Sequence, residues 1–480
     1  MSSLTRNTIY SFINQIVLLI IPFITFPYIS RVLGPGNYGT INYATSIVTI
    51  FAVFAGTGLI GYATREIAIV SNDKAKLSLK FQELFIIQLV LTIIMLCLYG
   101  AFLFNNTEMR SEFLIFFITG LTMLTNLFTF QWFFVGIEKF KYITTRDLVV
   151  KIIFVLCVFI FIKEQNDYLL YVVLNLGSFM LTASLNSWYL LKFVKLKKGK
   201  LSLKNHLKPV LLALVISFIS TVTLQLNSVL LGTIAVKAKL GVYNVGIKMT
   251  TMLVAIVSNA FAVLLPRLSY LNSNDDHSSQ QKILNKSGHF LGIVSIPACI
   301  GFILYSDLII NTLFGQSYSG AIIVSQITSV CLVIMPLVAI YAYYLYSASK
   351  EHISIYAMII ALVINVIANI ILTTKYFVVG AAITFVLTEF SKLVVYYFFL
   401  RRLGMNSRLF SKNYLSYCFI SIITIVVPYI IFSPKGIFSS VFTIIGSVIF
   451  YFISLGILKD KYFMDCVQII KNMLVRRGSK

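Results

Sequence analysis

The chain has 480 residues, of which 59% are hydrophobic and 11% charged, against about 25% charged in soluble domains. Such a composition cannot clothe a water-facing surface, so a soluble enzyme or binding module is excluded. The formal charge of +23 does not point to nucleic acid, because the basic residues are spread between apolar runs and read as topology signals facing anionic membrane lipid.

Apolar runs of 18 or more residues recur along the chain, each long enough to cross about 30 Å of hydrocarbon as a helix. The short alternating segments of a membrane barrel are not seen. The expected fold is an all-α integral membrane protein with about 14 transmembrane helices. They fall near 9–30, 40–62, 84–104, 113–135, 147–162, 168–191, 209–232, 244–265, 289–305, 320–345, 354–372, 377–399, 414–432 and 437–457. Arg6 precedes the first run, which has no small-residue cleavage site and is read as an uncleaved span.

An even count of spans puts both termini on one side. With the N-terminus inside, the inner segments hold 29 of the 39 Lys and Arg residues, the outer loops seven, and the spans three. That asymmetry places both termini in the cytoplasm.

Early in the chain, residues 22–46 run from a twice Pro-interrupted apolar segment through Arg31 and a Gly/Pro turn into a second span. The pattern Gly-x-x-Asn-x-small at 39–44, containing Asn42, returns at 241–246, containing Asn244. Each copy opens the second span of a six-span set, and between the sets lies the basic loop 192–208. Parallel repeats of this kind predict two pseudo-symmetric six-helix lobes around a central cavity. The division is an N-lobe at 1–191 (helices 1–6), a basic cytoplasmic linker at 192–208, a C-lobe at 209–400 (helices 7–12), and two extra helices with a basic cytoplasmic tail at 401–480.

Ionisable groups inside lipid are expensive, so those within spans are the first functional candidates. Lys151 lies in the fifth span, Lys248 in the eighth, and Glu389 with Lys392 in the twelfth. Glu389 and Lys392, three residues apart, share a helix face and can pair. Lys151 and Lys248 have no obvious local acid; snorkelling to the headgroups and lining a cavity are both open to them. Arg31 defies the charge bias by lying on the poorly charged outer side, and its guanidinium fork matches phosphate oxygens. The N-lobe shows no acid at depth. Pro22, Pro27, Pro297 and Pro336 mark hinges or fixed kinks. The six cysteines have no paired spacing, so no disulfide framework or metal site is expected. No P-loop, nucleophile elbow or sizeable acidic outer loop is present, and the reading is not an enzyme.

The stretches SRVLGPGNYGTINYA (30–44), GYATREIA (61–68), QWFFVGIEKFKYITTRD (131–147) and LLPRLSYL (264–271), in this order, resemble the Wzx-type polysaccharide flippases. These form the polysaccharide transporter branch of the multidrug/oligosaccharidyl-lipid/polysaccharide exporter superfamily. The resemblance implies alternating access and a substrate of undecaprenyl-pyrophosphate-linked glycan. The glycan crosses from the inner to the outer leaflet of the bacterial cytoplasmic membrane for capsule, exopolysaccharide or O-antigen synthesis. It implies no cofactor beyond H+ or Na+ as coupling ion, with Glu389 the candidate carboxylate, and a polysaccharide polymerase and glycosyltransferases as partners. Arg31, Lys151, Lys248, Lys392, Asn42 and Asn244 are the substrate-binding candidates. Arg65, Glu66 and Arg267 match inner-face motif positions and are read as gate or fold elements. The alternatives are an organic-cation antiporter of the same superfamily, which would need an acid inside the membrane, and a non-transporting scaffold, which leaves the cations in spans unexplained.

Overall fold

The computed structural model describes residues 3–195, 199, 201–261, 264–274, 276–405, 412–434, 436–465 and 468, without the side chains of 3–20 and 412. Part of the basic linker (196–198 and 200) and residues 466, 467 and 469–480 of the C-terminal basic tail, Cys466 among them, lie outside the described residues. Everything regular among the described residues is helical, and they divide into two units, Met1–Asn244 and Val245–Lys480.

Unit 1 contains α1 (Ser3–Phe54), α2 (Ile60–Val70), α3 (Lys74–Asn105), α4 (Thr107–Ser111), α5 (Phe113–Leu127), α6 (Gln131–Gly136), α7 (Phe140–Phe161), α8 (Tyr168–Leu190), α9 (Leu203–Ile234) and the first turns of α10 (Lys237–Ala260). Unit 2 takes the rest of α10, then α11 (Leu264–Ser273), α12 (His277–Leu313), α13 (Gly320–Thr328), α14 (Cys331–Ser347), α15 (Glu351–Ala368), α16 (Thr374–Arg402), α17 (Lys412–Ser421), α18 (Val427–Phe432) and α19 (Ile437–Ile457). Nine helical stretches among the described residues are long and apolar enough to cross a membrane, or eleven when each of two bent pairs counts as a span. The protein is a multi-pass membrane protein. Large apolar side chains such as Leu212, Phe438, Phe442 and Ile457 stand exposed on the helices, as lipid contact requires.

The helix breaks have local causes. Gly34 interrupts α1 at φ +74°, a left-handed conformation that glycine adopts without a Cβ clash. The second expected span, drawn to residue 62, ends instead at Phe54, and the chain bends by 51° into α2. The carbonyl of Ala55, freed by that bend, accepts the Thr92 hydroxyl of α3 at 2.7 Å. The fourth expected span is cut into α5 and α6 at Phe130, whose φ is +45°. An aromatic cluster holds that backbone, with Phe81, Phe85 and Phe128 rings 5.4, 5.8 and 6.2 Å from Phe130. Pro297 lies inside unbroken α12, and the 41° bend near Pro336 comes before α14 begins.

Asp73 moves the start of α3. Its carboxylate accepts the amides of Ala75 and Lys76 at 2.9 and 3.2 Å, so the helix begins at Lys74 instead of 84. Glu83 is thereby brought inside a spanning helix.

The repeated glycines meet. A Cβ on Gly39 would lie 1.8 Å from the carbonyl oxygen of Lys237, and one on Gly241 would lie 2.1 Å from that of Pro35. Each glycine thus packs against the backbone four residues ahead of the other, a reciprocal crossing of α1 and α10 that only residues without a side chain permit.

Candidate functional site

A cavity of about 400 Å³ opens inside unit 1 between the second half of α1, α5 and α8. Its polar lining is Thr45, Thr49 and Thr57, Thr119, Thr122 and Asn126, and Tyr171 and Asn175. None of the lining residues is charged. Each threonine donates its proton to its own chain: Thr45 to Ile41 O (2.8 Å), Thr49 to Thr45 O (2.6 Å), Thr57 to Ala52 O (2.9 Å), Thr119 to Ile115 O (2.7 Å) and Thr122 to Thr119 O (2.6 Å). What remains on each hydroxyl is acceptor capacity. Sequence reading missed this cavity, although Thr45/Thr49 and Thr119/Thr122, one turn apart on apolar helices, were its visible signal.

Lys151 stands behind the cavity. Its Nζ lies over the Phe154 ring at 5.8 Å, and Phe154 in turn meets the cavity residue Tyr171 at 6.2 Å. The expectation that Lys151 has no local acid is corrected: α7 begins at Phe140, which places Asp147 one turn back on the same helix, where it acts on Lys151 electrostatically. Arg31 is exposed just ahead of the Gly34 break. The Tyr28 hydroxyl donates to Ile162 O at 2.7 Å, so the Arg31 end of this half of α1 lies by the far end of α7. Eleven residues of helix, about 16 Å, separate Ile162 from Lys151. The two cations are therefore on neighbouring helices without sharing one spot.

Asn42 and Asn244 repeat one device. Each donates its amide to the carbonyl four residues earlier, Tyr38 O at 2.6 Å and Leu240 O at 3.1 Å. Asn244 also accepts the Ser228 hydroxyl of α9 at 3.3 Å.

Two ionic networks in unit 1 were not singled out from sequence. Arg146, 5% exposed, donates to Asn186 Oδ1 (2.7 Å), Gln131 Oε1 (3.1 Å) and Asp147 Oδ1 (2.7 Å). It ties α6, α7 and α8 into one body. Glu83 accepts Lys80 Nζ and His206 Nε2, both at 3.1 Å, and the Ser202 amide at 2.7 Å. Tyr62 meets His206 Nδ1 at 2.6 Å, and Lys80 reaches Glu66 at 3.8 Å. Glu66 also pairs with exposed Arg65 at 3.9 Å. Glu83 is a buried acid of unit 1 in the third turn of α3, beside the end of the basic linker at Ser202.

In unit 2, Glu389 is buried and paired with Lys392 at 2.5 Å. Nearby, Asn365 donates to Thr388 Oγ1 (2.8 Å), Asn369 to Asn365 Oδ1 (3.0 Å) and Thr373 to Asn369 Oδ1 (2.7 Å). Lys248 on α10 and Arg267 on α11 are exposed.

Residues 4–272 match the family model described as "Polysaccharide biosynthesis protein". The chain belongs to that family. Relatives similar to it include one of Escherichia coli (strain K12) named "Putative O-antigen transporter", 25% identical over 81% of this chain and 94% of its own length. Another is the capsular polysaccharide biosynthesis protein CapF of Staphylococcus aureus, 23% identical over 83% of this chain and 100% of its own. Among solved structures, the lipid II flippase MurJ in an inward closed conformation superposes with a TM-score of 0.70 at 15% identity, covering 95% of this chain and 99% of that one. An inward-facing multidrug resistance MATE family transporter of the MOP superfamily gives 0.60 at 14% identity over 84% and 95%. These bear out the resemblance carried by the four sequence stretches and establish the fold.

Proposed function

We propose that this polysaccharide biosynthesis protein is a flippase. It carries an undecaprenyl-pyrophosphate-linked saccharide repeat unit from the inner to the outer leaflet of the bacterial cytoplasmic membrane, by alternating access, with both termini in the cytoplasm. The observation that carries this reading is the uncharged cavity among spanning helices, lined by threonine, asparagine and tyrosine. A glycan, dense in hydroxyls, is the cargo that such a lining suits. The names of the E. coli and S. aureus relatives point the same way.

Each part of such a cargo has a counterpart. The pyrophosphate calls for cations, and Arg31, Lys151, Lys248 and Lys392 are the residues for it. Asn42 and Asn244 have oxygens and amides of the kind sugars recruit. The prenyl chain stays in lipid. Coupling to H+ or Na+ falls to Glu389, which must leave Lys392 to take a cation. The polymerase and glycosyltransferases of the same polymer are the natural partners.

An organic-cation antiporter needs an uncommitted acid. In unit 1 the Glu83 and Asp147 carboxylates already face Lys80, His206 and Arg146, which disfavours that reading.

Arg31→Ala should abolish surface polysaccharide, with lipid-linked repeat units accumulating and the protein level unchanged. Normal export by that variant would remove Arg31 from the mechanism.

A further inference from the structure

The threonine cavity carries information about the cargo's chemistry. Five hydroxyls have spent their protons on backbone carbonyls 2.6–2.9 Å away, so what they turn to a guest is oxygen lone pairs. The Tyr171 hydroxyl bonds the Asn175 side chain, and Asn126 adds its amide. Phe179 and the Tyr171 ring supply apolar faces. At about 400 Å³ the cavity falls within the roughly 300–1,000 Å³ typical of small-ligand sites.

A lining whose threonines offer acceptors, with neutral amide and phenol donors and no cation, discriminates. A sugar hydroxyl brings the proton that each threonine lacks. A carboxylate brings more lone pairs and a charge that must shed water with no cation in the lining to receive it. A site arranged around a substrate hydroxyl also rejects analogues that leave its polar groups unpaired.

We infer that this cavity is a saccharide subsite that selects an uncharged, hydroxyl-bearing sugar residue over an acidic one, with Thr45 and Thr49 as specificity-determining positions. The inference rests on the flippase reading for why a sugar reaches the cavity, but sugar binding there does not depend on transport.

Glucose and glucuronate differ only at C6 and make the cleanest pair of probes. Full-length protein in lipid nanodiscs, titrated with each sugar by saturation-transfer difference NMR, should bind glucose about tenfold more tightly than glucuronate. The Thr45→Val/Thr49→Val pair should weaken glucose by about tenfold, the worth of two net hydrogen bonds, while Thr45→Ser/Thr49→Ser restores it. Valine is isosteric with threonine and leaves the helix backbone bonded, so a folded variant is expected and is checked by its thermal unfolding.

Equal affinity for the two sugars, wild-type binding by the valine pair, or no glucose binding by the wild type would each overturn the proposal. A short-chain prenyl-pyrophosphoryl glucose added as competitor should displace free glucose. Failure to displace it while glucose still binds would sustain the subsite and overturn the lipid-linked reading.

Discussion

In unit 1 the threonines at 45, 49, 119 and 122 give their protons to their own helices and leave oxygens on an open cavity, while the buried charges are gathered elsewhere around Arg146 and Glu83. In unit 2 the same residue types turn on one another. Asn365 on α15, Asn369 and Thr373 on the helical segment that joins it to α16, and Thr388 on α16 form a ladder, and on the next residue of α16 Glu389 pairs with Lys392. A polar residue in a spanning helix is therefore not by itself a binding residue; what counts is where its remaining donor or acceptor points. Unit 1 separates its scaffold from its cavity, and unit 2 merges ladder and ion pair.

The separation is most exposed to test at Arg146. Asp147→Ala leaves the Arg146 side chain, only 3% exposed, without its carboxylate, and breaking a buried pair in this way costs roughly 3–5 kcal/mol. Glu389→Gln leaves Lys392 with an amide in place of a carboxylate and with 18% exposure, so it should cost about 1–3 kcal/mol. Thermal unfolding of both variants in detergent checks the order. A milder Asp147 variant would mean that the Arg146 network is not the scaffold of unit 1.

Next in size is the glycine crossing. In Gly39→Ala the new methyl meets the Lys237 carbonyl oxygen at 1.8 Å, a backbone atom with nowhere to retreat, and overpacking of this kind costs about 1–3 kcal/mol. Gly61→Ala in α2 places its methyl in open space and should be neutral or stabilising by up to about 1 kcal/mol. Equal Tm values for the two variants would dissolve the crossing as a structural element.

This crossing also shows how far the sequence could be read. The Gly-x-x-Asn-x-small repeat was visible as a pattern of identities, and the structure gives it two physical uses, a close approach at Gly39 and Gly241 and a back-bonded amide at Asn42 and Asn244. The membrane fold followed from apolar run length alone. Breaks inside uniformly apolar runs did not, because Phe130 is turned by the packing of Phe81, Phe85 and Phe128, which no local pattern reveals. The cavity was hard to read for a related reason: its threonines, at 45–57 and 119–122, lie far apart in the chain and meet the α8 residues Tyr171 and Asn175 only in the fold, and each looks like an ordinary helix hydroxyl. The Arg146 network was hidden because its partners at 131, 147 and 186 are joined only by the fold.

The two threonine settings can be compared directly by the same substitution. Thr388→Val removes the acceptor of the buried Asn365 amide, and an unsatisfied buried donor costs about 1–3 kcal/mol. Thr45→Val removes a hydroxyl that faces the cavity and should stay within about 0.5 kcal/mol of the wild type. If Thr45→Val proves the more damaging, the cavity is part of the scaffold and the contrast between the units fails.

The smallest effect concerns the cap that set the start of α3. The amides of Lys76 and Ala75 hold the Asp73 carboxyl below its ordinary value. A carboxylate with a depressed folded pKa contributes stability that is fully present above the unfolded value, near 3.9, and is lost as pH falls through the folded one. Asp73→Asn keeps a capping oxygen but cannot titrate, and asparagine caps about as well as aspartate. The two proteins should therefore unfold alike at neutral pH, with the wild type falling behind the variant only in strongly acidic buffer. A gap already present at pH 7 would show that the Asp73 charge does more than cap, and that the early start of α3, with Glu83 inside it, depends on electrostatics beyond two amides.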